Sequence, residues 1–155
     1  MTWWQRYKPY ILQVILALAV GGLSALLAGG MDTYGELVKP PLSPPGWVFP
    51  VAWTILYVLM GIAAGMILVS RDEDRGGAMG LYYLQLALNF VWSPLFFRFG
   101  WITFAAVWLA ALVAAVYAAY RRFRCISSAA GWLLLPYLAW CVFAFYLNVG
   151  FVVLN

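Results

Sequence analysis

The chain contains no histidine, which removes the commonest metal ligand and the side chain most often used as a general base near neutral pH. Its two cysteines, Cys125 and Cys141, are too few for a disulfide framework or a zinc site. Charged residues make up only 9% of the sequence and hydrophobic residues 66%, whereas soluble domains are about 25% charged. A soluble fold of this size would bury only roughly two-thirds of the surface its unfolded chain exposes, so lipid must cover the rest. No apolar segment carries a carboxylate pair, and no Gly-rich phosphate loop is present, so hydrolytic and redox catalysis lack their usual parts. No charged residue falls in the middle of an apolar run and no filter-like repeat is visible, which argues against ion conduction. The net charge of +4 is spread along the chain rather than gathered into a basic stripe with base-stacking positions, so nucleic acid is not a partner.

What the sequence does contain is five long apolar runs: Tyr10 to Gly29, Trp47 to Val69, Ala78 to Phe97, Trp101 to Tyr120, and Ala129 to Leu154. Each is close to the ~20 residues a helix needs to cross a bilayer. A barrel would show alternating segments of ~10 residues, and none appear. The first run follows Arg6 and Lys8 but exceeds the roughly 7–15 residues of a signal-peptide core, so it reads as a span. The expectation is an all-α membrane protein, a five-transmembrane-helix bundle forming one domain over residues 1–155.

The connections are unequal. Met31 to Gly46 is long and carries Pro40, Pro41, Pro44 and Pro45, which fix backbone dihedrals and oppose helix. Phe99-Gly100 barely leaves room for a turn, so the flanking spans should be antiparallel neighbours. With five spans, one side carries Arg6, Lys8, Arg71, Arg75, Arg121, Arg122 and Arg124, and the other only Lys39 and Arg98. The positive-inside rule then places the N-terminus in the cytoplasm, and the proline-rich loop and C-terminus outside. Gly61 and Gly65 form a GxxxG pair, and Ala106, Ala110, Ala114 and Ala118 recur every four residues. Such small residues allow close helix approach, within one bundle or across a dimer seam.

Aromatic residues reach 19%. Trp3, Trp4, Tyr7, Tyr10, Trp101 and Trp132 sit near run ends, where headgroup-level belts occur. Others fall on helix faces: Trp53 with Tyr57; Gln85, Asn89, Trp92 and Phe96; and Tyr137, Trp140, Ala144 and Asn148, each set spaced three or four apart. Amides in a membrane need partners, so Gln85, Asn89 and Asn148 should face the bundle interior. There they either join helices by hydrogen bonds or line an aromatic-walled cavity suited to a flat hydrophobic ligand. Ala144 would leave space among the large rings. Pro94 and Pro136 each remove a backbone hydrogen bond, so local kinks are expected there.

Several of these segments occur together in one known family. Lys39-Pro40-Pro41, then Pro44-Pro45-Gly46-Trp47-Val48-Phe49-Pro50 and Trp53-Thr54-Ile55-Leu56-Tyr57, resembles the tryptophan-rich sensory protein and translocator protein family, also known as the peripheral-type benzodiazepine receptors. Gln85-Leu86-Ala87-Leu88-Asn89 with Trp92-Ser93-Pro94 is similar to that family's third helix, and Pro136-Tyr137-Leu138-Ala139-Trp140 with Leu147-Asn148 to its fifth. The resemblance covers essentially the whole chain. It implies a five-helix bundle, usually a homodimer, that binds porphyrin and other flat hydrophobic ligands beneath the first loop, with sterol or lipid as further partners and no required cofactor or metal. Carried onto this sequence, the implied ligand site is Tyr34, Trp47, Trp53, Asn89, Trp92, Trp140 and Ala144. The resemblance leaves two alternatives to a receptor or sensor: a light-dependent porphyrin breakdown, for which Trp53 and Trp140 would be the catalytic candidates, or transport of tetrapyrroles or lipids. Animal members carry a sterol-recognition segment at the end of the fifth helix; here that helix ends Phe151-Val152-Val153-Leu154-Asn155, without a tyrosine or a charge.

Overall fold

The first helix, α1 (Trp3–Ala28), is apolar nearly all round, so the side it buries reveals its surroundings. Its buried residues are Gln13, Ala17, Gly21, Ser24 and Ala28, a small and polar stripe, while Leu12, Ile15, Leu23 and Leu26 are exposed. A helix in water would do the reverse. In lipid, packing selects small residues for the helix contacts and leaves the large aliphatic ones outside.

The computed structural model describes residues 2–29 and 32–155. After α1 come α2 (Asp32–Glu36), α3 (Val48–Val69), α4 (Arg75–Ser93), α5 (Ile102–Ile126) and α6 (Ser128–Leu154), with no strand among the described residues. The five long helices form a closed circle in which α1 packs on α3, α3 on α6, α6 on α5, α5 on α4, and α4 back on α1. The expected pairing across Phe99-Gly100 is therefore present, between α4 and α5.

Four helices, α1, α3, α5 and α6, are long and apolar enough to cross a membrane. The fifth expected span corresponds to α4, whose 19 residues include Arg75, Gly76, Gly77 and Gly80 and the amides Gln85 and Asn89. A π-helical turn, Pro94–Arg98, prolongs it. Pro94 lacks the N–H that would continue the α-helical ladder, and the wider turn follows.

Other boundaries shift for physical reasons. The fourth expected span continues helically to Ile126, so Arg121, Arg122, Arg124 and Cys125 are helical rather than in a loop. Hydropathy marks the hydrocarbon thickness, whereas arginine is a good helix former whose stem extends along apolar surface. Met31, the expected start of the first loop, lies outside the described residues. The prolines of that loop do exclude helix where they stand, but a single turn, α2, precedes them.

The loop rests on the end of α6. The Asn155 side chain bonds both backbone groups of Val38 at 3.0 Å, and the Tyr146 hydroxyl donates to the Pro41 carbonyl at 2.7 Å. Pro40 packs so tightly on Gly150 that a Cβ there would lie 2.6 Å from the proline ring. The GxxxG pair is used inside the bundle: a Cβ on Gly61 would lie 2.4 Å from Val14 Cα, and one on Gly65 2.7 Å from the Tyr10 ring. On α5 the alanine stripe divides, with Ala106 buried and Ala110 and Ala114 exposed.

Candidate functional site

Two amides of α4 meet a tyrosine of α3 and a tyrosine of α6 at the centre of the circle. Asn89 on α4 is 1% exposed; its Oδ1 accepts from the Tyr57 hydroxyl at 3.0 Å and its Nδ2 donates to the Tyr137 hydroxyl at 2.7 Å. Tyr137 in turn donates to Gln85 Oε1 at 2.6 Å, and Gln85 Nε2 lies 3.8 Å from Met60 Sδ. Nearer the loop, Trp92 Nε1 donates to Asn148 Oδ1 at 3.1 Å, and Asn148 Nδ2 to the Ile102 carbonyl at 2.9 Å. The network joins α3, α4 and α6 and ties α6 to the start of α5. Both polar atoms of the Asn89 and Asn148 side chains are therefore occupied.

Aromatic rings pack around that network. Trp53 stacks on Tyr57 at 5.5 Å and meets Trp92 at 6.5 Å, Tyr137 at 6.1 Å and Trp140 at 6.3 Å between centroids. Phe49, one turn before Trp53, lies edge-on to Trp140 at 5.9 Å and to Tyr34 at 5.1 Å. Tyr34 is buried beneath the loop; its hydroxyl donates to the Pro44 carbonyl, and Lys39 Nζ lies 5.0 Å above its ring. Burial raises the Tyr34 pKa above its ordinary value of 10.0, and a hydrogen bond with the Ser43 side chain opposes that shift more weakly.

The structure thus gathers Trp53, Asn89, Trp92, Trp140, Ala144 and Tyr34 in one half of the bundle. Trp47 does not join them: it stands at the start of α3 and is 68% exposed. Phe49, Phe96, Phe97 and Phe151 do line the space under the loop, together with Tyr34, Trp92, Ala144 and Asn148. Phe49 carries a signal in the sequence, since Phe49, Trp53 and Tyr57 repeat every four residues.

The space these residues enclose is small. The cavity beneath Tyr34 has a volume of about 10 Å³, on the scale of one water molecule. A larger cleft of about 330 Å³ opens on the other side of Trp53, between α1, α3 and the end of α4, bordered by Gly21, Ser24, Phe49, Trp53, Tyr57 and Phe97. Sequence reasoning missed this cleft, because its α1 wall is made of small residues with no chemical signature. Three buried side-chain polar atoms have no hydrogen-bond partner among the described residues, Gln13 Oε1, the Tyr82 hydroxyl and Trp140 Nε1, and the last of these belongs to this cluster.

Lipid-facing aliphatic residues, interior amides and an aromatic centre define an integral membrane helical bundle. The family model for TspO/MBR proteins matches residues 13–154. The chain is 37% identical to the tryptophan-rich protein TspO of Chlorobaculum tepidum, covering 90% of this chain and 95% of that one. It is 39% identical to the tryptophan-rich sensory protein of Cereibacter sphaeroides, covering 80% and 77%, and 37% identical to the translocator protein of Ovis aries, covering 82% and 77%. The chain belongs to the TspO/MBR family.

Proposed function

We propose that this protein is a membrane receptor or sensor that binds porphyrins and other flat hydrophobic ligands on the aromatic surface formed by Trp53, Trp92 and Trp140. The observation that carries this reading is the unpartnered indole N–H of Trp140, buried in a cluster where every nearby amide is already bonded. A buried donor without a partner is costly, and a ligand acceptor would satisfy it. The ligand enters through the α1–α3 cleft, whose 330 Å³ lies at the low end of the roughly 300–1,000 Å³ typical of ligand sites. Full seating requires Phe49 and Trp53 to part from the rings behind them. The loop through Tyr34 is the lid, and it becomes better protected from proteolysis at Lys39 when ligand binds.

In this reading α4 crosses the bilayer with the other four helices, its amides shielded inside the circle and the π turn completing its length. The N-terminus is cytoplasmic and Asn155 external, in line with the basic residues near the ends of α1, α3, α4 and α5. Two copies pair as a homodimer through the exposed small face of α5 at Ala110 and Ala114. A reporter fused to Asn155 that scores as cytoplasmic would reverse the topology.

A second reading, light-dependent porphyrin breakdown, is favoured by the edge contact of Trp53 with Trp140 and the two tyrosines beside it, four oxidisable rings within one cluster. Porphyrin absorbance followed in light and in darkness separates the two. A receptor gives a saturable spectral change that is constant in time; a catalyst bleaches the bound pigment under illumination. A signal that rises linearly with porphyrin and never saturates means partition into detergent, and defeats both.

A further inference from the structure

At the end of the bundle opposite the loop, the first turns of α1 lie beside the last turn of α3 and the connection to α4. A cleft of about 550 Å³ opens between them, lined by Gln5, Arg6, Tyr7, Tyr10, Leu68, Val69, Arg71 and Arg75. Three guanidinium groups from two separate stretches of chain therefore border one space. We propose that this cleft binds the phosphodiester headgroup of an anionic phospholipid.

Three observations support it. First, the guanidinium groups are not spent on carboxylates. Asp72, Glu73 and Asp74 occupy the same connection, yet they line no part of the cleft, and no ion pair forms among the described residues. Arg75 gives one N–H to the Leu68 carbonyl at 3.1 Å, Arg6 lies 5.9 Å from the centre of the Tyr7 ring, and Arg71 has no side-chain partner among the described residues. By contrast Arg121 and Arg124 on α5 are held by the Tyr117 and Tyr120 hydroxyls.

Second, Arg71 has φ 59°, in the left-handed region that favours glycine. A long side chain kept in that conformation at the edge of a cleft points to a role for the side chain. Third, the cleft is amphipathic. Guanidinium groups suit the paired oxygens of a phosphodiester, while Tyr7, Tyr10, Leu68 and Val69 offer apolar surface to the glycerol and upper acyl chain. The helix ends that form it are where headgroups lie, and basic recesses between membrane helices are suited to acidic lipids. Free phosphate shares the first half of this chemistry but not the second.

The test uses the full-length protein in a neutral detergent, titrated separately with short-chain phosphatidylglycerol, short-chain phosphatidylcholine and inorganic phosphate, with the unfolding midpoint as readout. Phosphatidylglycerol should give a saturable rise that the other two do not. Arg71→Gly should keep the ligand-free midpoint, because glycine relaxes the backbone at φ 59°, and should weaken the lipid response roughly fivefold. Joint replacement of Arg6 and Arg75 by Gln should weaken it further, and Arg121→Gln should leave it unchanged. Equal responses to the two lipids would overturn the proposal, as would an Arg121→Gln loss matching that of Arg71→Gly, since either means a diffuse field rather than a site. An inorganic phosphate response equal to that of phosphatidylglycerol would overturn the lipid assignment. None of these outcomes depends on porphyrin, so the two proposals fail separately.

Discussion

Two seams of the bundle are held together in different ways. Between α1 and α3 the contact is made by glycine: Gly61 and Gly65 bring the backbones together over the half of the bundle remote from the loop, and the helices leave a cleft over the other half. Around α4 and α6 the contact is made by hydrogen bonds, through Tyr57, Gln85, Asn89, Tyr137, Trp92 and Asn148. The steric contact continues to the edge of the cleft, where a Cβ on Gly21 would lie 2.1 Å from the Tyr57 ring, but a seam without hydrogen bonds strands no polar group when it opens. A satisfied polar network resists opening, because each broken bond strands a group where no water can replace the partner. On the proposed function, ligand entry belongs to the α1 side, while the α4–α6 side supplies structural constraint.

The largest effect should come from the glycine seam. Gly61→Leu puts a side chain where even a Cβ would meet Val14 Cα at 2.4 Å, and the obstacle is backbone, which cannot rotate away. Destabilisation should reach about 3 kcal/mol, the upper part of the overpacking range, measured by unfolding in mixed detergent. The exposed Gly22→Leu, with open space around it, is the control and should be nearly neutral. Equal behaviour of the two would remove the α1–α3 contact from the account.

Asn89→Leu comes next. It takes the acceptor from the Tyr57 hydroxyl and a donor from Tyr137, which keeps its bond to Gln85. The loss should be about 2 kcal/mol, since one hydroxyl is left unpaired and membrane hydrogen bonds are individually modest. Porphyrin affinity in the surviving folded protein should change little. Normal stability with abolished binding would make Asn89 a ligand contact and reverse the division drawn between the seams.

The loop should respond to pH. Burial holds Tyr34 protonated above its ordinary pKa of 10.0, so the folded loop binds that proton more tightly than the free chain does. The contribution is fully present below pH 10 and falls as pH rises through the folded value. Proteolysis at Lys39 should therefore accelerate above pH 10 in the native protein, while Tyr34→Phe should show a flatter profile. The same alkaline acceleration in both would assign the effect elsewhere.

Much of this arrangement is legible in the sequence, and the omissions have causes. The stripes Gln85-Asn89-Trp92-Phe96 and Tyr137-Trp140-Ala144-Asn148 follow helical spacing, so their burial could be read from it, and all of their residues are buried except Trp140, which is partly so. Which stripe faces which could not, because helix order around the circle is not encoded in local periodicity; the Asn89–Tyr57 and Asn89–Tyr137 bonds depend on it. Asn89, expected either to join helices or to line a pocket, bonds two helices. Trp47 belongs to a well-marked motif, but its place at the start of α3 turns it outward. The α1 wall of the α1–α3 cleft is mostly small residues, Gly21, Gly22, Ser24 and Ala25 among them, which carry no pattern that marks a ligand site.

The smallest effect tests the centre of the comparison. Trp140 lies between the two regions, packed on Trp53 and Phe49, with no hydrogen-bond partner among the described residues. In the ligand-free protein Trp140→Phe therefore loses no hydrogen bond; it loses ring area and removes a stranded donor, two changes of opposite sign. Stability should shift by well under 1 kcal/mol, unlike a tryptophan whose N–H is bonded, such as Trp92. Trp92→Phe strands Asn148 Oδ1 and is the internal standard. Against that flat background, a change in porphyrin behaviour reports on ligand alone. A receptor that uses the indole N–H should bind several-fold more weakly in the variant, since one aromatic or hydrogen-bond contact is worth on the order of 1 kcal/mol. A catalyst in which the photoexcited porphyrin takes an electron from the indole, with dissolved oxygen as the terminal oxidant, should bind almost as before and lose bleaching altogether, because phenylalanine is too hard to oxidise to replace it. If affinity and bleaching both stay normal while Trp92→Phe behaves as predicted, the unpaired N–H of Trp140 is a packing cost that the fold tolerates, and the ligand lies wholly in the α1–α3 cleft against Trp53.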